Sequence, residues 1–336
     1  MDQKTLILAL KQVKTPDLFL YNLLIGAEKP EKTEKFEIQT KSASRLRVPL
    51  VGRRENGKLV RNEAFYQALY KPGMIKPYKP ITEDSLLAQK FGENEYGAPA
   101  KYSNTQLKDL KADMLELKTI ALRTKIWMLS QLLITGTLPT DKVEGISYGE
   151  LNEITMTGTE RWSNPNAPII GQLRENQLDI QQKTGIVVDH LIITPDVVGY
   201  FLANTEIKEI MRSTTGHAFV FDPDKLTDSV AYIGFIPELN LRIFSYMDWT
   251  QVEGETEEPL LPPKTALMLK KKSFRVHYGA IPIRLKPGQS KTLVQASEIV
   301  KVEYGQKDEE DDELRYYSAP LIIPNDAQGW SLLKVL

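Results

Sequence analysis

The chain has 336 residues, with 43 Lys and Arg against 44 Asp and Glu, and no cysteine. That length can bury one large core or two ordinary ones without covalent staples. The absence of cysteine excludes a disulfide framework, thiol catalysis and thiolate metal sites, and fits a protein made in a reducing cytosol. Near neutrality removes any argument from bulk charge for a nucleic-acid coat or an acidic solvating tail, so only local charge is informative.

The first apolar patch, Leu6 to Leu10, is too short to span a bilayer and has no small-residue cleavage site after it, so neither a signal peptide nor a membrane span is expected. Residues 1 to about 40 mix this patch, a second one from Leu18 to Ile25, and the charged run Glu28 to Lys35. The pattern is too broken for a self-contained core and reads as an arm. From Lys41 to Arg61 there are seven Lys or Arg and one acid, Glu55. Apolar and polar residues alternate here around Asn56-Gly57, a dipeptide that supplies the positive φ values of a type I′ turn, so a hairpin is predicted. A lone two-stranded ribbon with little apolar surface is marginal in water and needs another surface to lie on.

Ser103 and Gln106 form a capping box, and Leu107, Leu110, Met114, Leu117, Ala121 and Met128 follow as a heptad-like stripe that ends at Thr135-Gly136. One helix of about thirty residues, about 45 Å long at ~1.5 Å per residue, is predicted. It exceeds an ordinary globular helix two- to threefold and implies an elongated subunit. After a connector from Thr137 to Gly158, a helix is predicted over Ile169 to Lys183, closed by Gly185. A buried strand over Ile186 to Thr194 and a helix over Pro195 to Arg212 come next. Strands are expected at Ser229 to Ile236, Leu241 to Tyr246, Thr265 to Leu269, Arg275 to Tyr278, Leu293 to Tyr304, Leu314 to Ile323 and Ser331 to Leu336. Acidic loops fall at Glu253 to Glu258 and Asp308 to Glu313. The fold class is α+β, with a long helix, a protruding ribbon and a compact mixed region.

Catalytic chemistry finds no foothold. Gly52 and Gly57-Lys58 imitate the spacing of a phosphate-binding loop, but Leu59 stands where Ser or Thr would hold Mg²⁺, and the segment is a predicted hairpin tip. His190, His217 and His277 are far apart and none belongs to a ligand pair; His190 and His277 fall in strand patterns, where a hydrogen-bonded structural role is the better reading. The run from Asp308 to Glu313 lacks the glycine spacing of a calcium loop and reads as solvated. No serine sits in a G-x-S-x-G elbow. We therefore expect no enzyme activity, no cofactor and no metal. The basic ribbon can grip phosphates or an acidic protein surface, and the lack of interleaved aromatics between Lys41 and Arg61 favours the protein.

The order of parts is specific, and several short segments run colinear with it. These are Phe19-Leu20 and Thr33-Glu34-Lys35 near the start, Pro72-Gly73-Met74-Ile75-Lys76-Pro77 on the ribbon's return, Thr135-Gly136 at the helix exit and Glu160-Arg161-Trp162-Ser163 in the connector. Ile192 to Phe201 and the end of the chain follow, with Ser318-Ala319-Pro320-Leu321, Asn325-Asp326 and Leu332 to Leu336. Together they resemble the lambda-type major capsid protein family of tailed bacteriophages, which has the Hong Kong 97 capsid fold. The acidic loops at Glu253 and Asp308 have no counterpart in that pattern.

The resemblance implies an N-terminal arm at 1–40, an extended β-hairpin loop at 41–95, a peripheral domain with the spine helix from 96–145 and 282–317, and an axial domain from 146–281 and 318–336. It further implies self-assembly of identical subunits as hexamers and pentamers into an icosahedral shell around double-stranded DNA. A scaffolding protein and a portal are the implied partners, and a decoration protein is left open. The shell is assembled in the bacterial host cytoplasm and ends up in the virion. Within that reading Arg45, Arg47, Arg53, Arg54, Lys58 and Arg61 are expected to meet acids on an adjacent copy, with Asn56 and Gly57 shaping the ribbon's turn. An encapsulin-like or gene-transfer compartment shell of the same fold and a non-assembling DNA-binding protein remain the alternatives.

Overall fold

The computed structural model describes residues 17–40, 66–81, 104–140, 145–213, 224–225, 227–252, 254, 256–283, 290–303 and 312–336. The first part of the chain forms α1 (Phe19–Leu24), β1 (Ile25–Pro30), β2 (Phe36–Thr40), β3 (Tyr66–Tyr70), β4 (Tyr78–Ile81) and the long helix α2 (Asn104–Thr135). The middle forms β5 (Thr137–Leu138), β6 (Ile146–Ser147), β7 (Asn152–Thr155), α3 (Ile169–Thr184), β8 (His190–Ile193), α4 (Pro195–Ala203), α5 (Thr205–Ser213), β9 (Asp224–Lys225), β10 (Val230–Ile236) and β11 (Leu241–Tyr246). The remainder is β12 (Trp249–Thr250), β13 (Glu258–Pro259), β14 (Thr265–Leu269), β15 (Phe274–Tyr278), β16 (Ile281–Ile283), β17 (Thr292–Val294), β18 (Ile299–Glu303), β19 (Asp312–Tyr317), β20 (Pro320–Pro324) and β21 (Ser331–Lys334).

Helix α2 has 32 residues, about 48 Å at ~1.5 Å per residue. Gly136 ends it with φ +70°, and its N–H donates to the Leu132 carbonyl at 2.9 Å, the left-handed cap that only glycine adopts without strain. The apolar stripe widens along the helix. In the first half Leu117 and Ala121 are buried on one side; from Lys125 to Leu133 most side chains are covered, because the helix there runs between other elements.

A mixed seven-stranded sheet in the order β7-β21-β14-β8-β11-β10-β9 organises the larger part of the molecule. Its central strands β8 and β14 are buried at every position, so they read as continuous apolar runs and not as alternation. One face is covered by α3, α4 and α5 through Leu173, Ile180, Val197, Phe201 and Ile207. The other meets α1, the second half of α2 and the three-stranded sheet β1-β15-β20 through Leu20, Leu24, Leu129, Leu132, Phe274 and Trp330. A smaller unit forms where the sheet β18-β19-β4 packs on the first half of α2, with Leu117, Ala121, Leu314 and Tyr316 at its centre.

Several expectations need correction. The single helix expected over Pro195 to Arg212 breaks at Asn204, whose Oδ1 accepts from the N–H groups of Glu206 and Ile207 and so starts α5 afresh. The strand expected over Ile186 to Thr194 is only the four residues of β8. The single strands expected over Leu293 to Tyr304 and Leu314 to Ile323 are each two strands with different partners: β17 pairs with β16 but β18 with β19, and β19 pairs with β18 and β4 but β20 with β15. The connector from Thr137 to Gly158 contains β5, β6 and β7.

Within the segment read as an arm, residues 19–30 are built into the body. Leu20 and Leu24 are fully buried, and β1 lies parallel to β15.

Candidate assembly surface

The ribbon residues singled out from the sequence, Arg45, Arg47, Arg53, Arg54, Asn56, Gly57, Lys58 and Arg61, lie outside the described residues, as do Ser103 of the capping box, His217 and most of the Asp308 run. What the structure describes is the ribbon's base. Strands β2 and β3 pair antiparallel from Phe36↔Tyr70 to Thr40↔Tyr66, so the intervening chain leaves and re-enters the body between two adjacent strands.

Both roots of that pair are held. On the outgoing side the Glu31 N–H donates to the Tyr278 carbonyl at 2.7 Å, and the Ala280 N–H donates to the Thr33 carbonyl at 3.0 Å. On the return side Ile75 and Ser318 exchange backbone hydrogen bonds at 2.8 and 3.1 Å, and the Tyr316 N–H donates to the Pro77 carbonyl at 3.0 Å. Lys71 and Glu34 tie the two roots together at 2.8 Å. Gly279 lies under both: a Cβ there would stand 2.7 Å from Pro72 Cγ and 3.3 Å from the Glu34 carbonyl oxygen.

Where this root meets α2, a polar network crosses the core. The hydroxyls of Tyr21 and Tyr278 both donate to the Glu28 carboxylate at 2.8 Å. Lys125, only 4% exposed, donates to the Tyr278 hydroxyl at 3.3 Å and stands 4.8 Å from that ring's centroid. Farther along α2, Lys118 donates to Glu298 at 2.8 Å, and Tyr316 donates to the other Glu298 oxygen at 2.7 Å. Burial pushes the Lys125 ammonium below its ordinary value, against the attraction of Glu298 and Glu28. Burial acts first in raising the Tyr278 hydroxyl, with Tyr21 and Glu28 adding to it. The network joins β1, β15, α2 and the small sheet, and sequence reasoning missed it. The signal was one lysine in the apolar stripe, four residues after Ala121 and three before Met128.

The two described histidines are both hydrogen-bonded to acids. His190 Nδ1 lies 2.7 Å from Asp189 and its ring stacks on Phe244, while His277 Nδ1 lies 2.8 Å from Glu31. Among the described residues no group of three or more His, Cys, Asp or Glu is placed to hold a metal ion, and no helix is long and apolar enough to cross a membrane.

A long helix joining a small peripheral sheet to a large mixed sheet, with a paired ribbon root between them, defines a subunit of the Hong Kong 97 capsid fold. A prophage protein of Escherichia coli CFT073 described as a capsid protein is 15% identical over 100% of this chain and 99% of that one, with a TM-score of 0.65. A phage-related protein of Bordetella bronchiseptica RB50 is 11% identical over 98% and 96% of the two chains (TM-score 0.48), and the encapsulin SrpI of Synechococcus elongatus PCC 7942 is 12% identical over 95% and 88% (TM-score 0.46). Comparison with curated protein sequences gives no match. At the level of sequence families, residues 2–335 match the profile of phage major capsid protein E, and the chain belongs to that family. Its role is structural, its place is the virion shell, and its principal partners are identical subunits.

Proposed function

We propose that copies of this chain assemble as hexamers and pentamers into a closed icosahedral shell around double-stranded DNA, built in the bacterial host cytoplasm on a scaffolding protein and around a portal. In this reading residues 146–281 and 318–336 form the axial domain that crowds around the symmetry axes. Residues 96–145 and 282–317 form the peripheral domain, and the ribbon within 41–95 lies across a neighbour. The observation that carries it is the doubly anchored root of the ribbon, between β2 and β3. An extension held at both ends delivers its charge to a neighbour at a defined place, and the cost of ordering it is offset when that neighbour supplies contact area.

The chemistry of the contact is charge pairing. Arg45, Arg47, Arg53, Arg54, Lys58 and Arg61 meet carboxylates of the adjacent copy, which sets register more than affinity. DNA is enclosed without base-specific recognition, in keeping with a chain whose formal net charge is −1.

Negative-stain microscopy of the purified chain tests the proposal directly, and uniform polyhedral shells are expected. Arg53→Glu with Arg54→Glu should leave a folded subunit that assembles poorly; normal shells from that variant at physiological salt overturn the role of the ribbon. A solitary monomer that binds DNA tightly and loses it with salt overturns the shell itself.

A further inference from the structure

The central strands of the large sheet end in opposite charge. Strand β8 sets the register: His190 lies beside Arg242 and Leu269, and Ile193 beside Ser245 and Ala266. The chain therefore leaves β14 into Lys270, Lys271 and Lys272 at one end of the sheet, and leaves β11 toward Asp248 and Trp249 at the other. Helix α1 joins the two ends, since the Leu23 carbonyl accepts from the Lys272 N–H at 2.8 Å while Asp17 stands with Asp248.

At the acidic end, α1, the middle of α2 and the segments flanking β10 and β12 enclose a groove of about 1360 Å³. Among the described residues its lining carries four carboxylates, Asp17, Asp228, Asp248 and Glu257, against one guanidinium, Arg123. Ile120 and Trp249 add apolar surface and are 41% and 50% exposed. Burial raises the Asp248 carboxyl above its ordinary value and the Asp17 charge adds to that, so a cation brought to this wall relieves an unfavourable pairing. Close by, the fully buried Tyr246 hydroxyl has no hydrogen-bond partner among the described residues and feels the charges of Asp248 and Asp17.

The other end has the matching character. Lys270, Lys271 and Lys272 are consecutive and exposed, and their ammonium groups have no ion pair among the described residues. The turn is fixed by the Lys271 N–H, which donates to Asp189 at 3.0 Å, and the nearby Glu238 is engaged by Arg174. Val187, two residues before Asp189, adds an apolar side chain that is 42% exposed.

We propose that the groove of one subunit receives the 270–272 turn of a second copy, with Lys270 and Lys271 on Asp248 and Glu257, and Val187 against Trp249. The occupant is another copy because the two surfaces cannot meet within one chain: the five residues of β14 alone hold them about 17 Å apart at ~3.3 Å per residue. A contact between opposite ends of one subunit is head-to-tail, and such contacts close into rings. It rests on the reading of the chain as a ring-forming shell subunit, and names the surfaces that would set the register of each ring.

Charge exchange provides the test. Lys270→Glu with Lys271→Glu reverses one surface, and Glu257→Lys with Glu258→Lys, at exposed acids of the other end, reverses its counterpart. Either pair alone should lower the yield of sedimenting shells severalfold, because like charges then face one another. The chain carrying all four changes restores opposite charge across the contact and should assemble near the parent's yield, a rescue that a misfolded subunit would not show. In a separate chain, which is otherwise free of cysteine, Lys270→Cys and Glu257→Cys treated with a short bismaleimide after assembly should join copies in a ladder. Reversed pairs that assemble like the parent, a combined variant as impaired as the pairs, or cross-links closed within one chain overturn the contact and leave the shell standing. A parent that forms no shells overturns both.

Discussion

Replacing Trp330 with Phe tests what holds the C-terminal end of the spine helix. The last four carbonyls of a helix have no partner inside it. In α2 the Leu132 carbonyl is taken by the Gly136 N–H, and the Leu133 carbonyl accepts from Trp330 Nε1 at 3.1 Å. Trp330 is 2% exposed and its ring centroid lies 5.2 Å from that of Phe274 in a tilted pair. Trp330→Phe keeps an aromatic ring but removes the donor, leaving a buried carbonyl unmatched at a cost of about 1–3 kcal/mol. Trp330→Ala opens a cavity worth about 3–5 kcal/mol and orphans the same carbonyl. Leu293→Ala, at a side chain 53% exposed, should change stability by less than about 0.5 kcal/mol. Urea unfolding of the unassembled chain, followed by far-ultraviolet circular dichroism, ranks the three. If Trp330→Phe unfolds at the parent's midpoint with an unchanged slope, the indole does not secure this helix end and the reasoning fails.

Gly279→Ala should cost about 1–3 kcal/mol by overpacking, because the added carbon meets the stiff Pro72 ring and must push the two ribbon roots apart; urea midpoints measure the loss, and limited proteolysis near residues 31–35 and 71–75 should quicken. Asn204→Ala should cost about 2–4 kcal/mol, since it removes the cap of α5 and leaves the Pro165 and Ala167 carbonyls without the amide that donates to them at 3.0 and 2.8 Å. Asn204→Asp keeps the cap but not those donors, so its midpoint should fall between. Burial alone would raise Glu298, but hydrogen bonds from Lys118 and Tyr316 and the charges of Lys118 and Lys125 hold it below its ordinary 4.5. A depressed carboxylate adds stability that is present above 4.5 and lost as pH falls through the folded value, so Glu298→Gln should flatten the acid limb of a stability-versus-pH curve. An unchanged limb in that titration would refute the pairing.

Elements with a local cause were legible in the sequence. Helix α3 was expected to close at Gly185 and does, with φ +79°, and the strand from Leu241 to Tyr246 matches end to end. Elements decided by distant partners were not. Nothing local in Leu314 to Ile323 says that Tyr317 pairs with Ile299 while Pro320 pairs with Tyr278. The patch from Leu18 to Ile25 looked too short for a core because its companions, Phe244 and Tyr246 against Phe19, lie more than 200 residues away. The buried network was half visible, as a lysine in an apolar stripe, but its carboxylate and tyrosine partners come from strands that only the fold brings together.

The spine helix makes two unequal cores answer to one another. Its second half is enclosed in the large core, whereas its first half carries a small unit centred on Leu117, Ala121, Leu314 and Tyr316. That small unit is thinly covered: every residue of β18 is half-buried, and β18 and β4 are the edges of its sheet. A three-stranded sheet whose edges have no further strand among the described residues, packed on one helix, has little burial of its own to offset the entropy of ordering it. It is kept in register by attachment, through β19 running into β20 of the neighbouring sheet and through Lys118 and Tyr316 on Glu298. In a protein that worked alone such edges would be an aggregation hazard. The larger share of the buried apolar packing lies at the far end of the helix, around Trp330 and Leu133.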